Sequence, residues 1–250
     1  MQILTKQIEC ISKLRRINEI IREDKSRDSR EKKIVQMQEI LKQKYYQETL
    51  NDVINPLDPA YKLGLLRINK CKFMDSKMKP LWLVFENADR AAPDIYLMFK
   101  NGDDLRQDML TLQMIRIMDY MWKEEGLDLR MTPYKCVSLA KNVGLIEVVL
   151  NADTIANIQK EKSSAALAAF RKGSIYSWLK DHNAGEEALK KAVEEFTFSC
   201  AGYCVATYVL GIADRHNDNI MVKRNGQLFH IDFGHILGKF KVSPFVWLEE

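Results

Sequence analysis

Asp214-Arg215-His216-Asn217-Asp218-Asn219, followed by His230-Ile231-Asp232-Phe233-Gly234, is the stretch that decides how this chain is read. Transfer of a phosphoryl group from ATP needs divalent cations bridging the phosphates, hard oxygen ligands to hold them, and a group that orients the attacking hydroxyl. Asn219 offers an amide oxygen and Asp232 a carboxylate, thirteen positions apart. Between them the run Ile220-Met221-Val222, the pair Asn225-Gly226 and Leu228-Phe229 predict a β-hairpin, which returns the carboxylate close to the amide. His216 is the sharpest candidate for chemistry. A neutral imidazole accepts the hydroxyl proton, and a protonated one stabilises the transferring phosphoryl group. Asp214 either orients His216 or is itself the base, and Arg215 reads as a clamp within the loop.

Upstream, Phe196–Ala213 runs for eighteen residues without a charge. That is near the lower limit for a membrane span, but its Thr, Ser and Gly content and its direct exit into Asp214-Arg215-His216 predict a core helix buried on all sides. Asp103–Glu125 predicts a long helix, apolar on a Leu105/Met109/Leu112 face and on a Leu110/Met114/Ile117/Met121 face, sandwiched between layers. Short strands are expected at Gly64–Asn69, Leu81–Phe85, Ile95–Phe99, Cys136–Leu139 and Leu145–Val149. Asn55-Pro56-Leu57-Asp58-Pro59 is a break that no helix continues through. Before it, Leu4, Ile8, Ile11, Leu14, Ile17 and Ile21 make one amphipathic helix, and Ile34, Met37, Leu41 and Tyr45 make a second.

Composition narrows the classes. With 250 residues and 46% hydrophobic content the chain can bury a substantial core. Of the net +4, all lies in residues 1–50, with 12 Lys/Arg against 8 Asp/Glu; the remainder carries 26 of each. A basic segment can touch an anionic membrane surface, but interspersed acidic residues favour a solvated helix face. Five cysteines without a C-x-x-C spacing argue for a reducing compartment and against a disulfide or zinc framework. Lys6 and Glu9 interrupt any signal-peptide core, so no leader is expected.

An asparagine and an aspartate presented in this way are what protein kinases use to hold their metals, although there the loop reads His-Arg-Asp and here Asp-Arg-His. Together with Gly102-Asp103-Asp104-Leu105-Arg106-Gln107-Asp108, Lys70-Cys71-Lys72, Lys77-Met78-Lys79-Pro80-Leu81-Trp82 and Ser199-Cys200-Ala201-Gly202-Tyr203-Cys204-Val205-Ala206-Thr207, the motifs resemble the phosphoinositide 3-kinase family, class I catalytic subunits most of all, from about Asn55 to Lys241. The resemblance implies an α+β, bilobal protein-kinase-like fold of lipid-kinase type: N-terminal helices at 1–54, a strand-rich N-lobe at 55–146, and a hinge with a mainly helical, truncated C-lobe at 147–250.

It also implies ATP and Mg²⁺ as cofactors and a set of site residues. Met74, Ser76 and Lys77 belong to a glycine-free phosphate loop, and Lys100 couples to Asp108 and reaches the phosphates. Backbone groups of Glu147 and Val149, with Val148 between them, meet the adenine edge. Trp82, Ile146, Met221 and Ile231 pack on the adenine faces, and Tyr134 lies at the back. Asn219 and Asp232 hold metal. Catalysis falls to Asp214, Arg215 and His216. Lys239, Lys241 and His235 are expected at lipid headgroup or phosphate; His230 reads as structural. Relatives carry a long basic loop after Asp-Phe-Gly, whereas here Phe240-Lys241 runs directly into Val242-Ser243-Pro244-Phe245-Val246. The implied activity is ATP-dependent phosphorylation of the 3-hydroxyl of phosphatidylinositol lipids, the 4,5-bisphosphate in intact class I enzymes. Growth-factor signalling, an adaptor subunit, a small GTPase and recruitment from the cytoplasm to the inner face of the plasma membrane go with it; nucleic acid does not. The rivals are a serine/threonine protein kinase of the same superfamily, an inactive nucleotide-binding fragment, and a metal hydrolase using Asp214, His216 and Asp218.

Overall fold

Three- and four-residue spacing of apolar side chains makes α1 (Gln2–Glu23), but its buried face starts later than expected. Cys10, Leu14, Ile17, Asn18 and Ile21 are buried, while Leu4 and Ile8 are exposed. The computed structural model describes residues 2–161 and 173–238. In α2 (Arg30–Lys42) Ser29 caps the first turn, its hydroxyl accepting from Lys32 N–H at 3.4 Å. The second predicted helix is in fact two, because Gln43 takes an extended backbone and Tyr45 falls in α3 (Lys44–Leu50).

The described residues divide into two compact units, Met1–Met109 with Tyr134–Val148, and Leu110–Pro133 with Val149–Glu250. In the first, β1 (Val53–Ile54), β2 (Lys62–Leu66), β3 (Lys72–Phe73), β4 (Leu81–Asn87), β5 (Ile95–Asn101), β6 (Cys136–Ala140) and β7 (Val143–Glu147) form one sheet. Its order is β1-β2-β4-β5-β7-β6, with β3 also on β4, and the pairings are antiparallel. The strand expected at Gly64–Asn69 begins earlier and ends at Leu66; Ile68–Lys70 closes into a 3₁₀ turn instead. Strand alternation sends Leu81, Leu83, Phe85, Leu97, Phe99, Val143 and Leu145 to one face, where they share a core with Leu14, Ile17, Leu41 and Leu50. Each such side chain contributes about 1.5–3 kcal/mol by leaving water. The opposite face keeps a half-buried row set by register: Trp82 opposite Met98, Met98 opposite Ile146, and Ile146 opposite Cys136.

The second unit holds a three-stranded antiparallel sheet of β8 (Ala152–Thr154), β9 (Ile220–Lys223) and β10 (Leu228–His230) in the order β10-β9-β8. Ile155 and Ile158 of α5 (Ile155–Glu161), Trp178 and Leu179 of α6 (Ser174–His182) and Val222 of β9 build its apolar cluster. Two helices are buried on one side only. In α4 (Arg106–Glu124) the buried positions Asp108, Thr111, Leu112, Ile115 and Asp119 form one stripe, and Met109, Leu110, Met114, Ile117 and Met121 are exposed. In α7 (Glu186–Val209) Ala192, Ser199, Gly202, Tyr203 and Ala206 are buried, whereas Phe198, Val205 and Val209 are open and Tyr208 is 88% exposed. The expectation of helices covered on two sides or all round is therefore corrected: small residues let one face of α7 approach closely, Gly202 lying where a Cβ would meet Met131 Sδ at 2.5 Å. Among the described residues no helix is long and apolar enough to cross a membrane.

The predicted hairpin forms, with Leu228 opposite Val222 and His230 opposite Ile220. Gly226 turns it at φ +102° with no room for a side chain, since a Cβ there would lie 1.9 Å from the Ala192 carbonyl oxygen on α7. Ser199 fastens the returning strand: its hydroxyl donates to Glu195 O at 2.6 Å and accepts from Leu228 N–H at 2.8 Å. Gly226→Ala combines a disfavoured backbone with a backbone clash, so it is expected to destabilise the chain by about 2–4 kcal/mol. Thermal unfolding should show a loss on the order of 5–10 °C; an unchanged melting temperature would contradict this packing.

Candidate active site

Helix α7 aims the catalytic loop. Gly211 at φ +55° closes it, its N–H donating to Tyr208 O at 3.2 Å while Ile212 N–H donates to Thr207 O at 2.9 Å, a Schellman ending. The chain then enters Ala213–Asn219 and is strapped to the segment after the hairpin, Ala213 N–H donating to His235 O at 3.0 Å and Leu237 N–H to Leu210 O at 3.1 Å.

Arg215 joins the two halves of the motif. Its guanidinium donates to Ala213 O at 2.9 Å, Ile231 O at 2.7 Å, Asn219 O at 3.5 Å and Asp232 O, and it lies over the Phe233 ring at 5.6 Å. Ile231 N–H meets Asn219 O at 3.0 Å, continuing the hairpin ladder by one rung. Asn219 and the Asp232 segment are thus neighbours, as the hairpin spacing predicts. The Asn219 amide nitrogen is spent on Asp214 O at 3.0 Å, which turns the amide oxygen the other way and leaves it to act as a ligand. Asp214 and Asp232 both take left-handed backbone, φ +58° and +59°, which costs energy outside glycine and recurs at functional sites. Among the described residues no group of three His, Cys, Asp or Glu is arranged to hold a metal. The fit to Mg²⁺ rests instead on two oxygen donors, one amide and one carboxylate, with phosphate oxygens completing a hard set.

His216 stands between two carboxylates, Nε2 3.9 Å from Asp214 Oδ1 and Nδ1 3.8 Å from Asp218 Oδ2. Nδ1 also lies 3.2 Å from Asp218 N–H and Nε2 3.0 Å from the Asn219 amide nitrogen. A neutral ring accepts at one nitrogen only, so the His216 tautomer decides which neighbour it holds. At 3.9 Å Asp214 does not hydrogen-bond the ring. Asn217 anchors the loop from the other side, its side chain donating to Gln159 Oε1 at 3.0 Å and its carbonyl accepting from Ala156 N–H at 3.0 Å. Of the remaining sequence candidates in this unit, Met221 and Ile231 are half-buried on and just beyond the hairpin, and His235 contributes its carbonyl to the strap. Lys239 and Lys241 lie outside the described residues.

His230 is structural, as the sequence reading has it. It is buried, stacked on Tyr203 with ring centroids 5.0 Å apart, and its Nδ1 has no partner among the described residues. Burial, with the nearby Arg215 charge, pushes its pKa down from 6.5 to about 4.

The strand-rich unit carries the rest. Trp82 and Ile146 lie on the half-buried row, joined there by Met98 and Cys136, which the motif reading missed although two-residue alternation back from Lys100 finds Met98. Lys100 sits two positions along β5 from Met98. It ion-pairs with Asp103 at 3.6 Å, the turn at Gly102 bringing Asp103 back beside it. Asp108 is buried in the first turn of α4. The charges of Asp108 and Lys100 both act on the Cys136 thiol, which burial pushes up to about 12. Met74, Ser76 and Lys77 lie in the β3–β4 loop, which is closed by Met74 N–H to Pro80 O at 2.9 Å and Ser76 N–H to Met74 O at 3.0 Å. Tyr134 is buried. Glu147 N–H is taken by Lys135 O at 2.8 Å, while Lys135 N–H goes to the Glu147 carboxylate at 2.8 Å and not to its carbonyl. That diversion, invisible in the sequence, keeps the Glu147 carbonyl out of the ladder with Lys135. Val148 N–H bonds Tyr96 O at 3.3 Å, and the chain leaves the unit between Val148 and Val149.

A half-buried sheet face ending in a lysine, and a hairpin presenting amide and carboxylate oxygens beside an acid–histidine loop, are the parts of an α+β kinase-like phosphotransferase. The Phosphatidylinositol 3- and 4-kinase family matches residues 94–246, and the chain belongs to that family. It is 50% identical over 238 residues, 95% of its length, to phosphatidylinositol 3-kinase 1 of Dictyostelium discoideum. Identity is 56% to phosphatidylinositol 3-kinase 3 and 55% to phosphatidylinositol 3-kinase 2 of the same organism, over 186 residues or 74% of the chain in each case. The chain spans 15%, 11% and 10% of the lengths of these three relatives.

The buried histidine sets an acid limit on stability. Below pH 6.5 the unfolded chain takes up a proton that folded His230 refuses, so this contribution is intact above 6.5 and lost as the pH falls to about 4. Between pH 7 and 5 the wild type is expected to lose about 2 kcal/mol more than His230→Phe, which keeps the stack and cannot titrate. Urea unfolding at the two pH values measures it; equal losses would place the acid sensitivity elsewhere.

Proposed function

We propose that this chain is the catalytic part of an ATP-dependent lipid kinase, transferring the γ-phosphoryl group to the 3-hydroxyl of the inositol ring of phosphatidylinositol lipids. The observation that carries the reading is the Arg215-centred loop, which sets the Asn219 amide and Asp232 beside one another next to Asp214 and His216. The similarity to phosphatidylinositol 3-kinases favours the lipid over a protein substrate.

Asn219 Oδ1 and the Asp232 carboxylate would hold Mg²⁺, which would supply neutralisation of the charge developing at the phosphates. The chain's own groups divide the remaining work. The row of Trp82, Met98 and Ile146 offers apolar contact to the adenine face, and the Glu147 carbonyl with Val149 N–H its polar edge. Lys100 supplies a point charge to the phosphates, for which an ammonium suits. His216 takes the inositol hydroxyl proton at the ring nitrogen left unprotonated, with the carboxylates of Asp214 and Asp218 on either side of the ring. Arg215 holds the geometry through backbone carbonyls and takes no part in proton transfer. On the class I resemblance, the proposal extends in the full-length protein to the 4,5-bisphosphate as substrate, a small GTPase and adaptor as partners, and action at the inner face of the plasma membrane.

Radiolabelled ATP with phosphatidylinositol vesicles in one arm and a generic protein substrate in the other tests the reading in the full-length protein. Label is expected in the lipid, at the 3-position; label in the protein alone would overturn it. Asp232→Asn should abolish transfer with the fold intact, and His216→Gln should slow a single turnover by ~10²–10⁴-fold with ATP binding little changed. A His216→Gln loss below about fivefold, far short of that range, would pass the base role to Asp214.

A further inference from the structure

The buried stripe of α1 is apolar except at its centre. Asn18 is 0% exposed among Leu14, Ile17 and Ile21, and its Oδ1 has no partner among the described residues. Both hydrogens of its amide leave the helix: Nδ2 donates to Met78 O at 3.2 Å and to Lys79 O at 2.8 Å. Those carbonyls lie in the β3–β4 loop, where Lys79 holds φ +45° immediately before Pro80, a conformation that sterics and the following proline both disfavour. The loop's internal bonds, Ser76 N–H to Met74 O and Lys79 N–H to Ser76 O at 3.1 Å, do not fix the direction of the Met78 and Lys79 carbonyls; Asn18 does. One helical turn further on, Arg22 donates to Asn101 O at 3.2 Å, at the end of β5 beside the Gly102 turn and the Lys100–Asp103 pair. Met78 ties the two segments together, its ε-carbon lying 1.6 Å from where a Gly102 Cβ would stand.

We propose that Asn18, seconded by Arg22, is a positioning residue for nucleotide phosphates: α1, which lies outside residues 94–246 matched by the family, braces the β3–β4 loop and the β5–α4 turn in the conformation that receives them. The inference rests on the reading of that loop and of Lys100 as phosphate contacts. An amide here is otherwise a poor choice, since an apolar side chain of the same size would complete the stripe and leave no buried oxygen without a partner. It also gives the helix preceding the sheet a means of setting nucleotide affinity without touching the nucleotide.

The test compares ATP with adenosine, which lacks the phosphates, by direct binding to the chain in the presence of Mg²⁺. Asn18→Leu removes both donors without adding charge or much volume, and is expected to weaken ATP about three- to tenfold while adenosine binding and melting temperature stay close to wild type. Exposed Arg22→Gln, which does not enter the core, should weaken ATP about two- to threefold with adenosine again unchanged. Leu14→Ala serves as the control for loss of α1 packing, and should lower the melting temperature without changing the ratio of ATP to adenosine affinity. The proposal is overturned if Asn18→Leu and Arg22→Gln leave that ratio as in wild type, or if Leu14→Ala shifts it as far as Asn18→Leu does. A wild-type chain that binds ATP no better than adenosine would instead remove the phosphate-loop reading itself, before any variant is considered.

Discussion

One guanidinium holds the catalytic loop to the strand that follows the hairpin. Arg215 spends its donors on the carbonyls of Ala213, Asn219, Ile231 and Asp232, so a single side chain fixes the backbone at both Asn219 and Asp232. A charged, planar donor with several N–H groups reaches more carbonyl oxygens at once than any other side chain. Around this contact the other constraints align: the Gly211 ending of α7 delivers the loop, Gly226 turns the hairpin against α7, and Ser199 pins the returning strand. The left-handed backbone at Asp214 and Asp232 is tolerable because these bonds over-determine it.

Local chemistry made the hairpin legible. Asn225-Gly226 between apolar runs has few alternatives, and the thirteen-residue spacing then places Asp232 beside Asn219. The strands at Leu81 and Ile95 and the helix at Arg106 were equally plain from periodicity. Helix environment was not. An uncharged run suggests burial all round, yet α7 buries one stripe of small residues and leaves Tyr208 open, because closeness of approach is decided by Gly202 and Ala206 and not by mean hydropathy. The Lys100–Asp103 pair was hidden for a related reason: a positive-φ glycine turn is invisible at the level of spacing, and it brings Asp103 back beside Lys100.

Division of the first sheet into two faces explains why the site residues there are so ordinary in sequence. One face is closed by α1–α3 and holds the large core side chains; the other stays half-buried and carries Trp82, Met98 and Ile146 in register. Polar exceptions are what distinguish the unit, and Asn18 is one that the amphipathic pattern hides, since it falls at a core position four residues after Leu14. Glu147 is another: its carboxylate, not its carbonyl, receives Lys135 N–H, a detail set by tertiary geometry alone.

We propose that the Arg215 network, more than any single ligand, makes the loop competent. Its most direct test is the rate of a single phosphoryl transfer in the full-length protein carrying Arg215→Lys, which keeps the charge and loses the planar fork. The account predicts ATP binding close to wild type and a transfer rate lower by about a hundredfold, the scale on which a displacement of about 1 Å acts. A rate within about threefold of wild type, well inside that scale, would contradict it.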